Sequence, residues 1–244
     1  MTKRLCRQIG FGKPLLFWGF SLAFGLSRRT SMCSALSSHI LSLLYNQYYF
    51  IFAILPILLF FCGSVMEDDP IIFVLRYGSY KHYFTSKWRS LGVLCSGLWL
   101  GQITILFVTG AGLSVIKQGW DNFSGSSLLK EIAPLLVKSF PGAWVAVFCA
   151  AVYMLMGYWL IALLTLWLGH FLQRQKAIKV LLALYILTIL SIKLPIMSRP
   201  PFCYLTGINH WVLLLHNLTA GWRFPLTVIV TLLFVVTVIC SIQG

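Results

Sequence analysis

The sequence predicts an all-α, polytopic membrane protein. Apolar residues make up 59% of its 244 residues and charged residues only 10%, and the mean hydropathy is +0.87. A soluble domain cannot bury so large an apolar fraction. The charged residues occur in clusters, and most of the uncharged runs between them are long enough to cross a hydrocarbon core of about 30 Å as a helix. We therefore expect a single transmembrane domain over residues 1–244.

We predict six transmembrane helices. Their expected limits are about 9–33, 48–65, 91–116, 143–168, 178–197 and 224–242. Pro56 predicts a kink in the second helix. Tryptophans flank the third and fourth spans, as is typical of side chains at the membrane interface. These are Trp88, Trp120, Trp144 and Trp167.

The first span follows a basic arm over residues 1–13. A basic arm before a short apolar run is also typical of a signal peptide. No small-residue cleavage site follows, and Arg28 and Arg29 come next, which favours a membrane helix. The Ser-rich segment Ser31–Gln47 fits either an external connection or extensions of the first two helices.

A polar segment between the second and third spans has the features of a short cytoplasmic helix over about 70–83. Acidic residues precede Pro70, and this combination is a helix-start signal because unsatisfied N–H groups and the helix dipole favour negative charge there. An inert loop on the lipid headgroups is the alternative, since the segment also mixes basic and aromatic residues. The acidic residues are Glu67, Asp68 and Asp69.

A second broken segment, residues 200–222, precedes the sixth span. Pro, Gly and Asn interrupt it, and only about ten consecutive residues favour a helix, which is too few to cross a bilayer. Irregular backbone at membrane depth is tolerated only inside protein or beside water. We expect a re-entrant external segment in which Trp211, Leu214 and Leu215 close the outward end of a transport path as a gate.

Charge predicts the orientation. Six spans place both termini on one side, and with the termini cytoplasmic eleven of the 19 Lys and Arg residues lie inside, leaving eight outside. This agrees with the positive-inside rule. The net charge of +14 is then explained by contact with membrane lipid phosphates, and we expect no nucleic-acid partner.

The sequence lacks the motifs of several enzyme classes. The sequence has no G-x-x-x-x-G-K-[ST], no G-x-S-x-G and no H-E-x-x-H, and its seven cysteines are scattered singly. None of the predicted spans contains Asp or Glu, the residues that ion-coupled carriers usually place in the membrane. We therefore predict no catalytic, cofactor-binding or metal site in this chain.

The pattern E-D-x-P-x-x-x-x-x-R-Y-G-S at Glu67–Ser79, followed by Lys87-Trp88-Arg89, resembles a segment of small permeases of Gram-positive bacteria that are linked to antimicrobial peptide export or immunity. The predicted organisation resembles the membrane subunits of exporter-type ABC transporters. The resemblance implies a permease in the bacterial cell membrane that exports or clears a peptide or lipid-like amphiphile. It also implies a separate P-loop ATPase subunit, which would bind the ATP and Mg.

The resemblance further implies that the helix over 70–83 couples the two subunits. It would sit in a groove of the ATPase, and two permeases, identical or homologous, would pair to form the path. The implied buried contacts are Ile71, Ile72, Val74 and Leu75. Arg76 and Tyr77 would make polar contacts, and the acidic residues would cap the helix.

Two functions of other classes remain open. One is a membrane enzyme or assembly factor that acts on lipid or lipoprotein and uses His210 or His216. The other is a non-catalytic subunit of a membrane complex. A P-loop ATPase that co-purifies with the chain would favour the permease over both.

Overall fold

The computed structural model describes residues 2–29, 35–66, 77–114, 134–193, 212–213 and 233–238. These residues are helical apart from turns, short irregular connections and one isolated bridge between Ala35 and Ser114. Among the described residues, two helices are long and apolar enough to cross a membrane, and the number of candidate spans rises to four if each of two bent helix pairs counts as one span. The helical architecture and the presence of candidate membrane spans are thus confirmed, whereas six spans stay a prediction.

The first two helices meet at a sharp bend. Helix α1 runs over Thr2–Ile9 and α2 over Gly12–Arg29, with 71° between them. Gly10 in the bend has a φ of +72°, a conformation that glycine adopts without steric cost. Part of the predicted span 9–33 therefore belongs to α1 and the bend, α2 begins only at Gly12, and residues 30–33 lie outside the described residues.

The next apolar segment is also bent. Helix α3 covers Leu36–Leu44, α4 covers Gln47–Tyr49, a π-helical segment covers Phe50–Ile54 and α5 covers Leu55–Gly63. The bend of 49° separates α3 from α4, where the Asn46 side chain accepts a hydrogen bond from the Tyr49 amide at 2.9 Å. The predicted second span, 48–65, thus omits α3. The bend lies ten residues before the expected kink at Pro56, and the chain stays helical from Gln47 through Pro56 to Gly63, because the π-helical segment leads directly into α5.

Three longer helices follow. Helix α6 runs over Tyr80–Thr109, α7 over Ala143–Phe171 and α8 over Arg174–Lys193. Helix α7 agrees closely with the predicted span 143–168. Helix α6 begins eleven residues before the expected residue 91, and α8 begins four before the expected residue 178. Only residues 233–238 of the predicted span 224–242 are described, and they are helical.

Glycines allow α2 and α6 to pack closely. A Cβ atom on Gly101 would overlap the Trp18 ring, and one on Gly25 would lie 2.7 Å from Thr109 Oγ1. The later residue of α2, Gly25, contacts the later residue of α6, Thr109. Helices α2 and α6 therefore run parallel.

Helix α7 runs antiparallel to α6. A Cβ atom on Gly92 would lie 2.9 Å from the Trp159 ring, and further along α6 the Phe107 ring stacks on Trp144 at 6.1 Å. Helices α2, α6 and α7 thus form one packed unit with two ends. The basic end contains Lys13, Met66, Tyr80, His170 and Arg174. The opposite end contains Arg29, His39, Thr109 and Ala143.

Candidate functional site at the basic end

Most residues of the predicted coupling helix lie outside the described residues. These are Glu67, Asp68, Asp69, Ile71, Ile72, Val74, Leu75 and Arg76. The same holds for the predicted gate residues Trp211, Leu214 and Leu215.

Tyr77 is the one predicted coupling residue that the structure describes. Its ring meets the Tyr83 ring edge-on at 5.6 Å. Gly78 follows with a φ of +71°, and the Ser79 hydroxyl accepts a hydrogen bond from the His82 amide at 3.3 Å, which caps α6. The expected helix over 70–83 is therefore interrupted at 77–79, because the positive φ and the cap start a new helix at Tyr80.

A cluster of rings surrounds this start, and we call Tyr77, Tyr80, Tyr83, Phe84 and His170 the aromatic joint. Tyr80 stacks on His170, near the end of α7, with 4.6 Å between the ring centroids. Tyr80 also lies 6.1 Å from Tyr83 and 6.5 Å from Phe84. Aromatic pairs at such distances attract beyond the effect of burial. The joint therefore ties the segment before α6 to α6 through Tyr77, and ties α6 to α7 through Tyr80.

A buried cation lies beside the joint. Lys87 is only 7% exposed, and its Nζ lies 5.8 Å from the centroid of the Tyr83 ring. An ammonium group over the face of a tyrosine ring is stabilised by the ring quadrupole. Lys87 thus places positive charge inside the basic end, one turn beyond Tyr83 on α6.

Four polar side chains form a buried network deeper in the bundle. The Tyr158 hydroxyl donates to Gln102 Oε1 at 2.7 Å, and Gln102 Nε2 donates to the Tyr49 hydroxyl at 3.4 Å. Tyr49 in turn donates to Ser21 Oγ at 2.7 Å, and all four side chains are buried. The network therefore joins α2, α4, α6 and α7 where an unpaired polar group would be costly.

The π-helical segment Phe50–Ile54 begins directly after Tyr49 of this network. Such segments are rare and occur frequently at functional sites, since they shift side chains around the helix axis. Here the segment also precedes Pro56, whose ring crowds a regular helical turn. The network and an irregular helix thus coincide in the middle of the bundle.

Tryptophan indoles add further links to α6. Trp18 donates to the Leu98 carbonyl at 3.2 Å and Trp99 to the Ala151 carbonyl at 2.9 Å. Trp88, predicted as an interfacial anchor, instead packs edge-on against Trp159 at 5.9 Å and donates to its carbonyl at 3.4 Å. These bonds hold α6 against α2 and α7 along much of its length.

The opposite end is joined by hydrogen bonds across the chain. Arg29 Nη2 donates to the Ala111 carbonyl at 2.7 Å, and the Leu36 amide donates to the Ser114 carbonyl at 3.1 Å. The buried His39 Nε2 and Thr109 Oγ1 share a hydrogen bond of 3.2 Å. The ends of α2 and α6 and the start of α3 are thereby fixed to one another.

The network was not predicted, although the sequence holds a signal for it. Gln102 is the only amide side chain in the predicted span 91–116, and a polar residue in a membrane helix usually needs a partner from another helix. No such signal distinguishes Ser21, Tyr49 or Tyr158 from other small or aromatic residues.

Across the described ranges, no group of three or more His, Cys, Asp and Glu residues is arranged to hold a metal ion.

The aromatic joint, the indole hydrogen bonds and the buried network together can transmit a movement from one helix to the next. A displacement of residues 77–79 would reach α6 and α7 through the aromatic joint, and the indole bonds and the network would pass it to α2.

In comparisons with known protein families, curated proteins and solved structures, nothing matches this chain.

Proposed function

We propose that the chain is the permease subunit of an ATP-driven ABC transporter in a bacterial cell membrane. It would export or clear a peptide or lipid-like amphiphile. A P-loop ATPase subunit would bind the ATP and Mg, and a second permease, identical or homologous, would complete the path. The supporting observation is α6, a helix of 30 residues that begins directly after the segment expected to contact the ATPase.

The mechanism follows from the contacts at the start of α6. The ATPase would move residues 67–76 when it binds and hydrolyses ATP. Tyr77 contacts Tyr83 of α6, and Tyr80 contacts His170 of α7, so the movement would reach both helices. Because α2, α6 and α7 are bonded to one another, the bundle would move as one body against the second permease.

Charge supports a cytoplasmic basic end. Among the described Lys and Arg residues, those of α1 and of the first turns of α2, α6 and α8 lie at or near this end. Fewer lie at the opposite end, chiefly Arg28 and Arg29. Cytoplasmic segments are enriched in these residues. This supports the proposed orientation, in which six spans leave both termini inside and the coupling segment would face the side that holds ATP.

Co-purification tests the proposal. The chain is expressed together with its neighbouring genes and purified in mild detergent, and a P-loop ATPase should co-purify. Wild type should retain the ATPase, whereas Val74→Asp with Leu75→Asp should lose it, because charge would be buried in the groove. Ala111→Asp is the matched control, since it adds charge to an exposed turn at the opposite end.

The two possible failures are distinguishable. If wild type purifies without any ATPase under conditions that preserve its fold, the permease assignment is wrong. If the ATPase binds wild type and the double variant equally well, the assignment stands and the coupling segment lies elsewhere.

A further inference from the structure

We propose that the basic end binds one anionic phospholipid, in a cleft between α2, α5 and α8. The cleft has a volume of about 460 Å³, within the range of about 300–1,000 Å³ that is usual for ligand sites. Lys13 and Arg174, at the starts of α2 and α8, line it together with Gln8 of α1. Nothing in this inference depends on the chain being a transporter.

The rest of the cleft is an apolar slot. On α8, Ile178, Leu182 and Tyr185 follow Arg174 at spacings of four, four and three residues, so they lie on one face of the helix. The face is about 16 Å long at a rise of about 1.5 Å per residue. That is a suitable length for part of an acyl chain.

Helix α5 provides the facing wall. It contributes Pro56, Leu59, Phe60 and Gly63, which are also spaced along one side of the helix. The polar Ser64 follows at the basic end. Both walls therefore become apolar with distance from the basic end, as a lipid does with distance from its headgroup.

The cations suit a phosphate group. An arginine presents paired N–H donors to phosphate oxygens, and a lysine adds a point charge. Lys13 Nζ lies 4.8 Å from the centroid of the Phe60 ring, so its charge sits where the apolar wall begins. A phosphodiester at the rim would contact both cations while its acyl chain lay along the slot.

The location favours a lipid over a peptide. Phe60, Leu182 and Ile178 are 65%, 54% and 45% exposed, although all three lie within predicted membrane spans. The cleft is thus open towards the hydrocarbon. Helix α1 buries Leu5 and Ile9 against the bundle and leaves Lys3 and Arg7 exposed, which adds exposed positive charge to the basic end.

Native mass spectrometry tests the site. The delipidated wild-type chain is titrated with phosphatidylglycerol, with phosphatidylcholine of the same acyl chains, and with inorganic phosphate. We expect one tightly retained phosphatidylglycerol, weaker phosphatidylcholine binding and no competition by phosphate. Lys13→Gln with Arg174→Gln should weaken binding about 10- to 30-fold, from the loss of two cations near the membrane surface. Lys179→Gln, a change on α8 away from the cleft, should not.

A second pair of variants tests the slot. Gly63→Phe should fill it and abolish retention, because no atom lies within 4 Å of a Cβ added there. Gly19→Phe is the matched control, since Gly19 has equally open surroundings on α2 and does not line the cleft. Each variant is used only if it elutes as a single species and unfolds at a temperature close to that of wild type.

A measurement on wild type keeps the test independent of folding defects. Phosphatidylglycerol with a photoreactive acyl chain should label peptides that contain Phe60, Ile178 or Leu182. Labelling spread over all membrane helices would overturn the proposal. The proposal would also be overturned if inorganic phosphate displaced phosphatidylglycerol completely and Gly63→Phe bound phosphatidylglycerol as wild type does, since the site would then be a simple anion site.

Discussion

The two ends of the bundle are held together in different ways. At the opposite end, Arg29 and Leu36 donate hydrogen bonds to backbone carbonyls, and His39 bonds to Thr109 with no exposed surface. At the basic end, aromatic rings meet at 4.6 to 6.5 Å between centroids, and a cleft of about 460 Å³ opens between α2, α5 and α8. Hydrogen bonds are directional, whereas ring contacts persist over a range of angles. The basic end is therefore better suited to binding and to receiving movement.

The contrast gives each end a role in the proposed permease. The opposite end keeps α2, α3 and α6 in register, so the bundle can respond as one body. The basic end connects that body to the segment expected to contact the ATPase and to the lipid. Changes at the opposite end should then reduce stability, and changes at the basic end should reduce binding and coupling.

The largest expected contrast is in sidedness. After removal of the native thiols, Ala111→Cys should react with an impermeant maleimide added to sealed, right-side-out cells, and Ser79→Cys should react only after permeabilisation. Both positions are exposed, so accessibility to water does not distinguish them. Labelling of Ser79→Cys from outside would invert the orientation and remove the coupling role of the segment beside it.

Close packing at the opposite end should be sensitive to one methyl group. Gly25→Ala would bring its Cβ within 2.7 Å of Thr109 Oγ1 and 3.0 Å of Thr109 Cβ, and Thr109 is buried and short. We expect a loss of about 1–3 kcal/mol in the free energy of unfolding, measured by thermal unfolding in detergent. Gly63→Ala at the basic end, where nothing lies within 4 Å, should change stability little. Equal effects of the two variants would contradict the comparison of the ends.

The buried network should have a smaller effect. Gln102→Leu removes the acceptor of Tyr158 and a donor to Tyr49. Hydrogen bonds between membrane helices are worth about 0.6 kcal/mol on average and about 1.7 at most, so we expect a loss of about 1 kcal/mol by the same thermal measurement. Thr104→Val, which removes only an exposed hydroxyl bonded to its own helix, should be neutral. A neutral Gln102→Leu would show that the network does not help to hold the bundle.

Part of the fold follows directly from the sequence. Helix α7 agrees with the prediction because its uncharged run, residues 139–173, opens with Pro141 and Gly142 and ends at Arg174, so length, hydropathy and the turn residues fix it. The early start of α6 was not predicted, because Lys87 and Arg89 indicated a polar connection between the expected helix over 70–83 and the span expected from residue 91. In the structure Lys87 is buried beside the Tyr83 ring, and such a contact cannot be inferred from hydropathy.

The sites were harder to predict for the same reason. The network depends on which faces of four helices meet, and the cleft on Arg174 coming beside Lys13, which is distant in the chain. The periodicity of apolar residues predicts which face of a helix is buried, but it does not predict which other helix packs against that face. Gly10 was a candidate position for the bend, since glycine adopts a positive φ without steric cost.

Site-directed photocrosslinking tests the central claim most directly. Benzoylphenylalanine is placed at Lys81 at the basic end, and in a second variant at Ser27 at the opposite end; both positions are exposed. The chain is expressed with the P-loop ATPase that co-purifies with it, and membranes are irradiated and analysed for adducts. The account predicts an adduct with the ATPase from position 81 and none from position 27. An adduct from position 27 alone, or no adduct from either position although the ATPase is present, would contradict it.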